Sequence, residues 1–293
     1  WESRAYAIRF FVKIHDQIIP SVDSIKTKEK IFVLSDIEGN FNAFYNLLLN
    51  NNLIDKHGNW KFGKGHLVIV GDMVDRGEYV HECLYLLYKL DYQSVEKGGR
   101  VHYLLGNHDV MLLTGDNRYT DNKYLNMAKS LNLPVKDLYA SKTILGNWLR
   151  SKKVMIKIND LLFVHAGIST DLIKNLYTVR EINQSFYTFF NNGITNSRIE
   201  FLFRSYGPIW YRGLAADYKN DKKLEESTVD SLLAYFSVKK IIIGHTIMED
   251  VSTDYSGKVI RVDVDHYTTP QGLLITGKTY LVCNQKGKLA ELK

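Results

Sequence analysis

Five short clusters of acidic, amide and histidine side chains each follow an apolar run of strand length. The runs cover residues 31–34, 66–70, 101–105, 161–164 and 240–243. Carboxylates, amides and imidazoles, without a cysteine pair, suit Mn, Fe, Mg or Zn bound through oxygen and nitrogen. In chain order, the candidate residues are Asp36, Glu38, Asp72, Asp75, Arg76, Asn107, His108, His165 and His245.

The apolar runs predict the elements that position these residues. Short apolar runs predict buried strands, and the periodic segments at 43–50 and 81–90 predict helices between them. This alternation indicates βαβ units, in which ligands bind beyond the carboxyl ends of the strands. A single cluster of this kind is more often structural, but five in succession predict one site. Two metal ions there need a shared carboxylate, and Asp72 is the natural bridge.

Two of the clusters match signatures of a known family. Residues 71–77 are Gly-Asp-Met-Val-Asp-Arg-Gly, and residues 106–109 are Gly-Asn-His-Asp. With separate histidines downstream, this order resembles the calcineurin-like metallophosphoesterases, especially the phosphoprotein phosphatase branch and its bacterial-type, Shewanella-like relatives. The resemblance spans residues 31–265. It implies an α/β fold, namely a four-layer αββα sandwich with two mixed sheets and the metals at the strand ends.

The resemblance also implies a role for each matched residue. A first metal ion would be held by Asp36 and Asp72, and a second by Asp72, Asn107, His165 and His245. His108, oriented by Asp75, would protonate the leaving group. Arg76 and Asn107 would bind the substrate, since a guanidinium group can form two parallel hydrogen bonds to phosphate oxygens. A water bridging both metals would supply the hydroxide nucleophile.

Glu38 stands where the family has histidine in the first motif. As a ligand, it would make the first metal site harder and more anionic, which favours Mn, Mg or ferric iron over Zn. The alternative is that Glu38 points away and the first metal binds weakly.

Other positions near the motifs carry weaker expectations. Asp109 follows Gly-Asn-His where the family has glutamate, and could still orient its neighbours. Arg212 lies in a Trp-Tyr-Arg-Gly segment that resembles a phosphate-contacting segment of bacterial-type phosphatases, although a Trp-Tyr pair is more often packing. No role is assigned to Asp263, Asp265 and His266.

Composition limits the class of protein and its partners. The chain has 293 residues, a formal charge of +6 and 45% hydrophobic residues, which fits one large domain. Its basic residues are dispersed among acids, which favours a solvated surface over specific nucleic-acid binding. No apolar run is long enough to span a membrane, so a soluble domain is expected. The cytoplasm is the favoured compartment, but the chain begins at Trp1, so removal of an upstream signal or anchor stays open.

Three segments lie outside the strand and cluster pattern. Residues 1–30 predict a packing helix or arm, because Ala7, Phe10, Phe11 and Ile14 share one helical face. The polar segment 116–147 predicts a helical insertion or cap. Residues after 259 alternate and predict closing antiparallel strands.

The expected function is hydrolysis of phosphate monoesters, in a phosphoserine or phosphothreonine protein or in a small phosphoester. The arginine of the second motif favours this substrate class. A dinucleoside polyphosphate hydrolase is an alternative, because similar motifs cleave phosphoanhydrides. A non-catalytic scaffold with a degenerate first metal site is another, and Glu38 is its one supporting feature.

Overall fold

The computed structural model describes residues 8–217 and 222–292. Within these ranges, two six-stranded mixed sheets pack face to face and helices cover their outer faces. The strands are β1 (Ser24–Ile25), β2 (Ile31–Leu34), β3 (His66–Ile69), β4 (Arg100–Tyr103), β5 (Met155–Ile158), β6 (Leu161–Val164), β7 (Lys240–Ile243), β8 (Ser252–Asp254), β9 (Val259–Arg261), β10 (Gln271–Thr276), β11 (Thr279–Asn284) and β12 (Leu289–Glu291). The predicted αββα sandwich is confirmed.

The helices connect the parallel strands and flank the sheets. They are α1 (Phe41–Asn50), α2 (Val80–Glu96), α3 (Asn107–Thr114), α4 (Asn122–Ser130), α5 (Ile144–Arg150), α6 (Thr170–Lys174), α7 (Val179–Asn192), α8 (Ser197–Leu202) and α9 (Glu226–Phe236), with a 3-10 helix at Val135–Tyr139. None of the helices in the described ranges has the length and apolar character needed to cross a lipid bilayer.

The first sheet has the strand order β12-β11-β10-β2-β3-β4. Strands β2, β3 and β4 are parallel, with Ile31 opposite His66 and His66 opposite Arg100. Strand β10 joins β2 antiparallel, and β11 and β12 continue in the same manner, as the alternating sequence predicted. The parallel strands end on one side of the sheet, where the first three polar clusters begin.

The second sheet has the order β1-β5-β6-β7-β9-β8. Its centre is parallel, with Leu162 of β6 opposite Ile241 of β7 and Ile241 opposite Val259 of β9. The carboxyl ends of β6 and β7 therefore lie together and deliver the last two clusters, at His165 and His245.

The central strands are buried on both faces. In β2, Ile31 and Val33 belong to the apolar layer between the sheets, whereas Phe32 and Leu34 pack in the layer beneath the helices. All four are at most 2% exposed. Burial on both faces explains why these strands are continuous apolar runs without polar alternation.

Of the packing helix or arm predicted for residues 1–30, the described part is an arm and not a helix, and Ala7 lies outside the described residues. Residues 8–13 alternate in burial, with Ile8, Phe10 and Val12 packed against the main core. Phe11, assigned to the same helical face as Phe10, is instead 92% exposed. The segment is an extended arm, because its apolar residues have the period of two that extended backbone requires.

The segment 116–147 carries α4, the 3-10 helix and the beginning of α5. Asp121 caps α4 by accepting a hydrogen bond from the Lys123 backbone N–H at 2.8 Å. The Tyr124 hydroxyl donates to the Glu78 carbonyl at 2.9 Å. These bonds fix α4 beside the amino end of α2, close to the second polar cluster.

Candidate active site

Four of the five predicted clusters line one cleft of about 440 Å³, through Asp36, Glu38, Asp72, Arg76, Asn107, His108 and His245. His165, of the fourth cluster, is fully buried and contacts Asp72 from behind the cleft surface. The backbone at several of these positions is strained. Asp36, Asp72 and His245 have φ values of 50°, 53° and 64°, in the left-handed region that non-glycine residues seldom adopt. Such strain persists where the surrounding fold holds it, and it concentrates at functional sites.

Two glycines permit the close approach of these loops. Gly71 has a φ of 98°, and a Cβ there would collide with the His165 ring. A Cβ at Gly106 would overlap both the Asp72 carboxylate and the His165 ring. Contact between loops therefore requires glycine at both positions, and Gly71 additionally has a φ that favours glycine.

Asp72, His165 and His245 form the buried centre of the cleft. One ligand atom from each lies within 4.8 Å of the other two. Nε2 of His165 is 3.1 Å from Oδ2 of Asp72 and 3.0 Å from Oδ1 of Asn107. Nδ1 of His165 donates to the Val70 carbonyl at 2.7 Å, which aims Nε2 into the centre.

Opposite charges in this centre stabilise one another. Burial disfavours a charged His165, but the carboxylates of Asp72 and Asp36 outweigh burial and raise its pKa to about 10. Burial likewise opposes the charge of Asp72, yet His165 outweighs it and lowers the pKa of Asp72 to about 2. A positive charge between the loops therefore stabilises the buried carboxylates.

The donor set fits a metal ion. Nε2 of His245 is buried and has no hydrogen-bond partner among the described residues. The other ring nitrogen, Nδ1, lies 3.2 Å from Nε2 of His165, which is itself 3.1 Å from Oδ2 of Asp72. Imidazole nitrogens and a carboxylate oxygen therefore face one another in a buried site, as the ligands of a metal ion do. The residues that could hold metal here are Asp36, Asp72, Asn107, His165 and His245.

Asp36 is held by the loops on either side of it. Its Oδ2 accepts a hydrogen bond from the Ser35 hydroxyl and another, at 3.0 Å, from the His245 backbone N–H.

Nε2 of His266, which the sequence left unassigned, donates to the Ser35 carbonyl at 2.8 Å. Asp263 is buried nearby, and burial together with the charge of Asp36 raises its pKa well above the ordinary value. The Asp265 side chain stabilises its own turn, because its Oδ1 accepts a hydrogen bond from the Tyr267 backbone N–H at 2.9 Å.

The structure places Glu38 inside the cleft. Its carboxylate forms an ion pair with Arg76 and is only 13% exposed. One of its carboxylate oxygens also lies within 4.8 Å of a ligand atom of Asp72 and of a ring nitrogen of His108. Glu38 can therefore reach both a metal beside Asp72 and the guanidinium of Arg76.

His108 and Asp75 form a buried dyad. Nδ1 of His108 lies 3.0 Å from Oδ2 of Asp75. Burial lowers the pKa of His108, but the hydrogen bond to Asp75 and the charge of Asp72 overcome it and leave the pKa above its ordinary value. The ring is oriented with Nε2 3.5 Å from Arg76 Nη2. That geometry suits a proton donor beside a guanidinium that can bind an anion.

Arg212 also lines the cleft. Its Nη1 donates to the His245 carbonyl at 2.7 Å and to the Thr246 hydroxyl at 2.9 Å. The side chain therefore holds the loop that carries His245, while its charge remains in the cleft.

Sequence reasoning missed the residues at the mouth of the cleft. Tyr119, Ile247 and Tyr267 line it and are 46%, 63% and 66% exposed. Trp210 lies deeper, edge-on to His245 with ring centroids 6.0 Å apart. Tyr119 comes from the start of the segment 116–147 and packs 5.0 Å from the His108 ring. No motif marks Tyr119, Ile247 or Tyr267, whereas Trp210 belongs to the Trp-Tyr-Arg-Gly segment and was interpreted from sequence as a packing residue.

The sequence profile of the calcineurin-like phosphoesterase family matches residues 29–249. The chain belongs to this family. The matched range holds every cluster from Asp36 to His245, and the calcineurin-like phosphoesterase fold agrees with the two packed sheets. The protein is therefore an enzyme, a metal-dependent phosphoesterase, and the scaffold alternative is not supported.

Individual relatives of this calcineurin-like phosphoesterase are phosphatases. Shewanella-like protein phosphatase 1 of Plasmodium berghei is 25% identical over 240 residues, which cover 80% of this chain and 66% of that protein. The solved structure of a cold-active protein-tyrosine phosphatase from a psychrophilic Shewanella species has a TM-score of 0.87 and 35% identity, covering 94% of this chain and 83% of that one. A symmetrical bis(5'-nucleosyl)-tetraphosphatase of Buchnera aphidicola is 29% identical over 180 residues, 58% of each chain.

Proposed function

We propose that the protein removes phosphate from phosphorylated proteins and favours phosphotyrosine over phosphoserine and phosphothreonine. The observation that carries this proposal is the set of aromatic side chains, Tyr119, Trp210 and Tyr267, that line the same cleft as Arg76 and His108. Aromatic rings that pack against each other gain about 0.5–1.5 kcal/mol beyond the area they bury. A substrate ring would gain that energy, whereas a serine side chain would not.

The similarity to a protein-tyrosine phosphatase supports the same substrate class. The preference differs from the phosphoserine and phosphothreonine expectation drawn from sequence, which had no information about the mouth of the cleft.

The metal ligands proposed are Asp36, Glu38, Asp72, Asn107, His165 and His245, for two ions with Mn, Fe or Mg favoured over Zn. Their carboxylate content supports this preference, because oxygen ligands suit harder ions. Bound divalent ions supply positive charge that polarises phosphoryl oxygens and acidifies water.

Side chains of the protein bind and protonate the substrate. Arg76 pairs with the phosphoryl oxygens through its planar guanidinium, and Asn107 and Arg212 are further proposed contacts. His108 donates a proton from Nε2 to the departing oxygen, while Asp75 holds Nδ1 and keeps the ring in that orientation.

The test compares kcat/KM for peptides of one sequence that carry phosphotyrosine, phosphoserine or phosphothreonine, each with Mn. We expect phosphotyrosine to be preferred by about tenfold or more, as two aromatic contacts would provide. Tyr119→Ala and Tyr267→Ala should each remove most of this preference. Tyr187→Ala, at an exposed position on α7, is the matched control and should retain it.

Equal turnover of the three peptides would contradict the aromatic preference. A diadenosine tetraphosphate reaction far faster than any peptide reaction would favour the polyphosphate alternative instead.

A further inference from the structure

A hydroxyl outside the family motifs lies against the buried dyad. Oγ1 of Thr120 donates to Oδ1 of Asp75 at 3.0 Å, while Oδ2 of the same carboxylate faces Nδ1 of His108 at 3.0 Å. Each oxygen of Asp75 thus has a different partner, and its side chain is 0% exposed. From this geometry, we infer that Thr120 is a positioning residue that acts on proton donation through Asp75 and His108.

The physical argument begins with rotation of the carboxylate. A carboxylate that holds an imidazole through one oxygen can still turn about its terminal torsion, because that torsion has broad preferences. A second hydrogen bond on the other oxygen restricts the turn. Loss of the Thr120 hydroxyl would leave a buried oxygen without its donor, which is costly and favours rearrangement of the carboxylate.

Thr120 is itself held firmly. The preceding carbonyl, of Tyr119, accepts a hydrogen bond from the Arg76 backbone N–H at 2.9 Å. On the other side, Lys123 at the start of α4 donates to the Glu78 carbonyl at 2.7 Å and to Glu82 at 3.0 Å. The loop is therefore fixed at both ends beside the second motif, and its hydroxyl has a defined position.

This arrangement gives the segment 116–147 a role in the reaction. Tyr119 faces the cleft and Thr120 faces the dyad, so adjacent residues of one loop contact the substrate side and the proton-donor side. Since the inference rests on the proposed role of His108 in monoester hydrolysis, its test must separate the two.

The experiment measures kcat with Mn for phenyl phosphate, a poor leaving group, and for dinitrophenyl phosphate, a good one. Thr120→Val keeps the shape and removes the hydroxyl. It should lower kcat about tenfold for phenyl phosphate and less than about threefold for dinitrophenyl phosphate, because only a poor leaving group needs the proton. Thr120→Ser should restore most of the loss, and metal content should stay at the parent level.

The matched control is Thr114→Val, whose hydroxyl donates only to the backbone carbonyls of Val110 and Met111 at the end of α3. It should leave both rates within about twofold of the parent. If Thr120→Val does not fold, Thr120→Ala removes the same hydroxyl without placing a second methyl group against Asp75 and carries the test.

A double-mutant comparison completes the design. In the His108→Asn background, Thr120→Val should change kcat by less than about twofold, since the two residues act as one unit. Three outcomes would overturn the role of Thr120 and leave the acid role of His108 intact. They are equal losses of kcat for both leaving groups, no recovery of kcat in Thr120→Ser, and a tenfold loss from Thr120→Val that persists in the His108→Asn background. If His108→Asn lowers kcat equally for both leaving groups, the acid role of His108 and the positioning role of Thr120 are both overturned.

Discussion

The carboxylate of Glu38 is ion-paired with the guanidinium of Arg76 across the cleft. Both residues have positive φ, 48° and 57°, so the backbone of two different loops is held in an uncommon conformation to bring them together. The pair joins the position that departs from the family pattern to the proposed phosphate-binding arginine. Glu38 is therefore placed to influence both metal preference and phosphate binding.

Substitution of Glu38 should change the dependence of activity on metal. Glu38→Ala should raise the Mn concentration needed for half-maximal activity by about tenfold or more, as loss of a ligand or its support does. Glu38→His should retain activity and shift preference toward Zn, because imidazole is neutral and softer than carboxylate. Activity against metal concentration with Mn, Mg and Zn measures both effects. Glu78→Ala, on the nearby surface, is the control, and curves identical to the parent for both Glu38 variants would remove Glu38 from the metal site.

Arg76→Lys should weaken inhibition by phosphate or vanadate. A lysine keeps the charge but cannot form two parallel bonds to phosphoryl oxygens. We expect the inhibition constant to rise about tenfold, with a fall in kcat/KM of similar size. Inhibition constants measured at one Mn concentration check this, and an unchanged constant would place Arg76 outside phosphate binding.

His108→Asn should lower kcat by on the order of 10²–10⁴ for poor leaving groups, since general acid catalysis contributes about that much. The loss should be much smaller for nitrophenyl phosphate. Metal content should be unchanged, because the proposed set of metal ligands does not include His108, whose Nδ1 is bonded to Asp75. Equal losses for good and poor leaving groups are the outcome that contradicts an acid role.

His81 should make the stability of the fold depend on pH. Burial and then the charge of Lys123 lower its pKa to about 4 from an ordinary 6.5, where its ring packs 4.7 Å from that of Tyr124. The unfolded chain therefore binds a proton between these pH values that the folded chain does not. The stability contribution is complete above pH 6.5 and is lost as pH falls toward 4, by on the order of 2–3 kcal/mol.

The check is urea unfolding of the parent and His81→Phe between pH 7 and pH 4. The variant should lose less stability than the parent on acidification, by that same amount. His57→Gln, at an exposed position, should follow the parent. Parallel curves for parent and His81→Phe would show that His81 does not titrate as its burial requires.

The sequence predicted the parts of the molecule that depend on buried strands. Runs such as 31–34 and 161–164 are apolar because both faces are covered, so their ends, and the clusters at Asp36 and His165, could be located without coordinates. The runs 66–70 and 101–105 differ from β3 and β4 by one or two residues, since strand ends are the least defined part of the pattern.

Other features depend on long-range geometry that no local pattern encodes. The amino-terminal segment is too short for its apolar residues to distinguish a period of two from a helical period, and the structure selects the former. Contacts of Tyr119 with His108 and of Thr120 with Asp75 join residues from an insertion to two motifs elsewhere in the chain. The Glu38 and Arg76 pair is of the same kind.

The central claim is that metal held by Asp72 is required for phosphate release. The most direct test strips the parent and Asp72→Asn of metal and measures phosphate release from a phosphotyrosine peptide before and after addition of Mn. Asp72 belongs to both groups of candidate metal ligands, so its charge should be required for either ion. We predict no release by stripped parent, recovery with Mn, and less than about a tenth of that recovery in Asp72→Asn, while Asp160→Asn on the surface recovers fully. Phosphate release that is equal with and without metal, or full recovery in Asp72→Asn, would contradict the account.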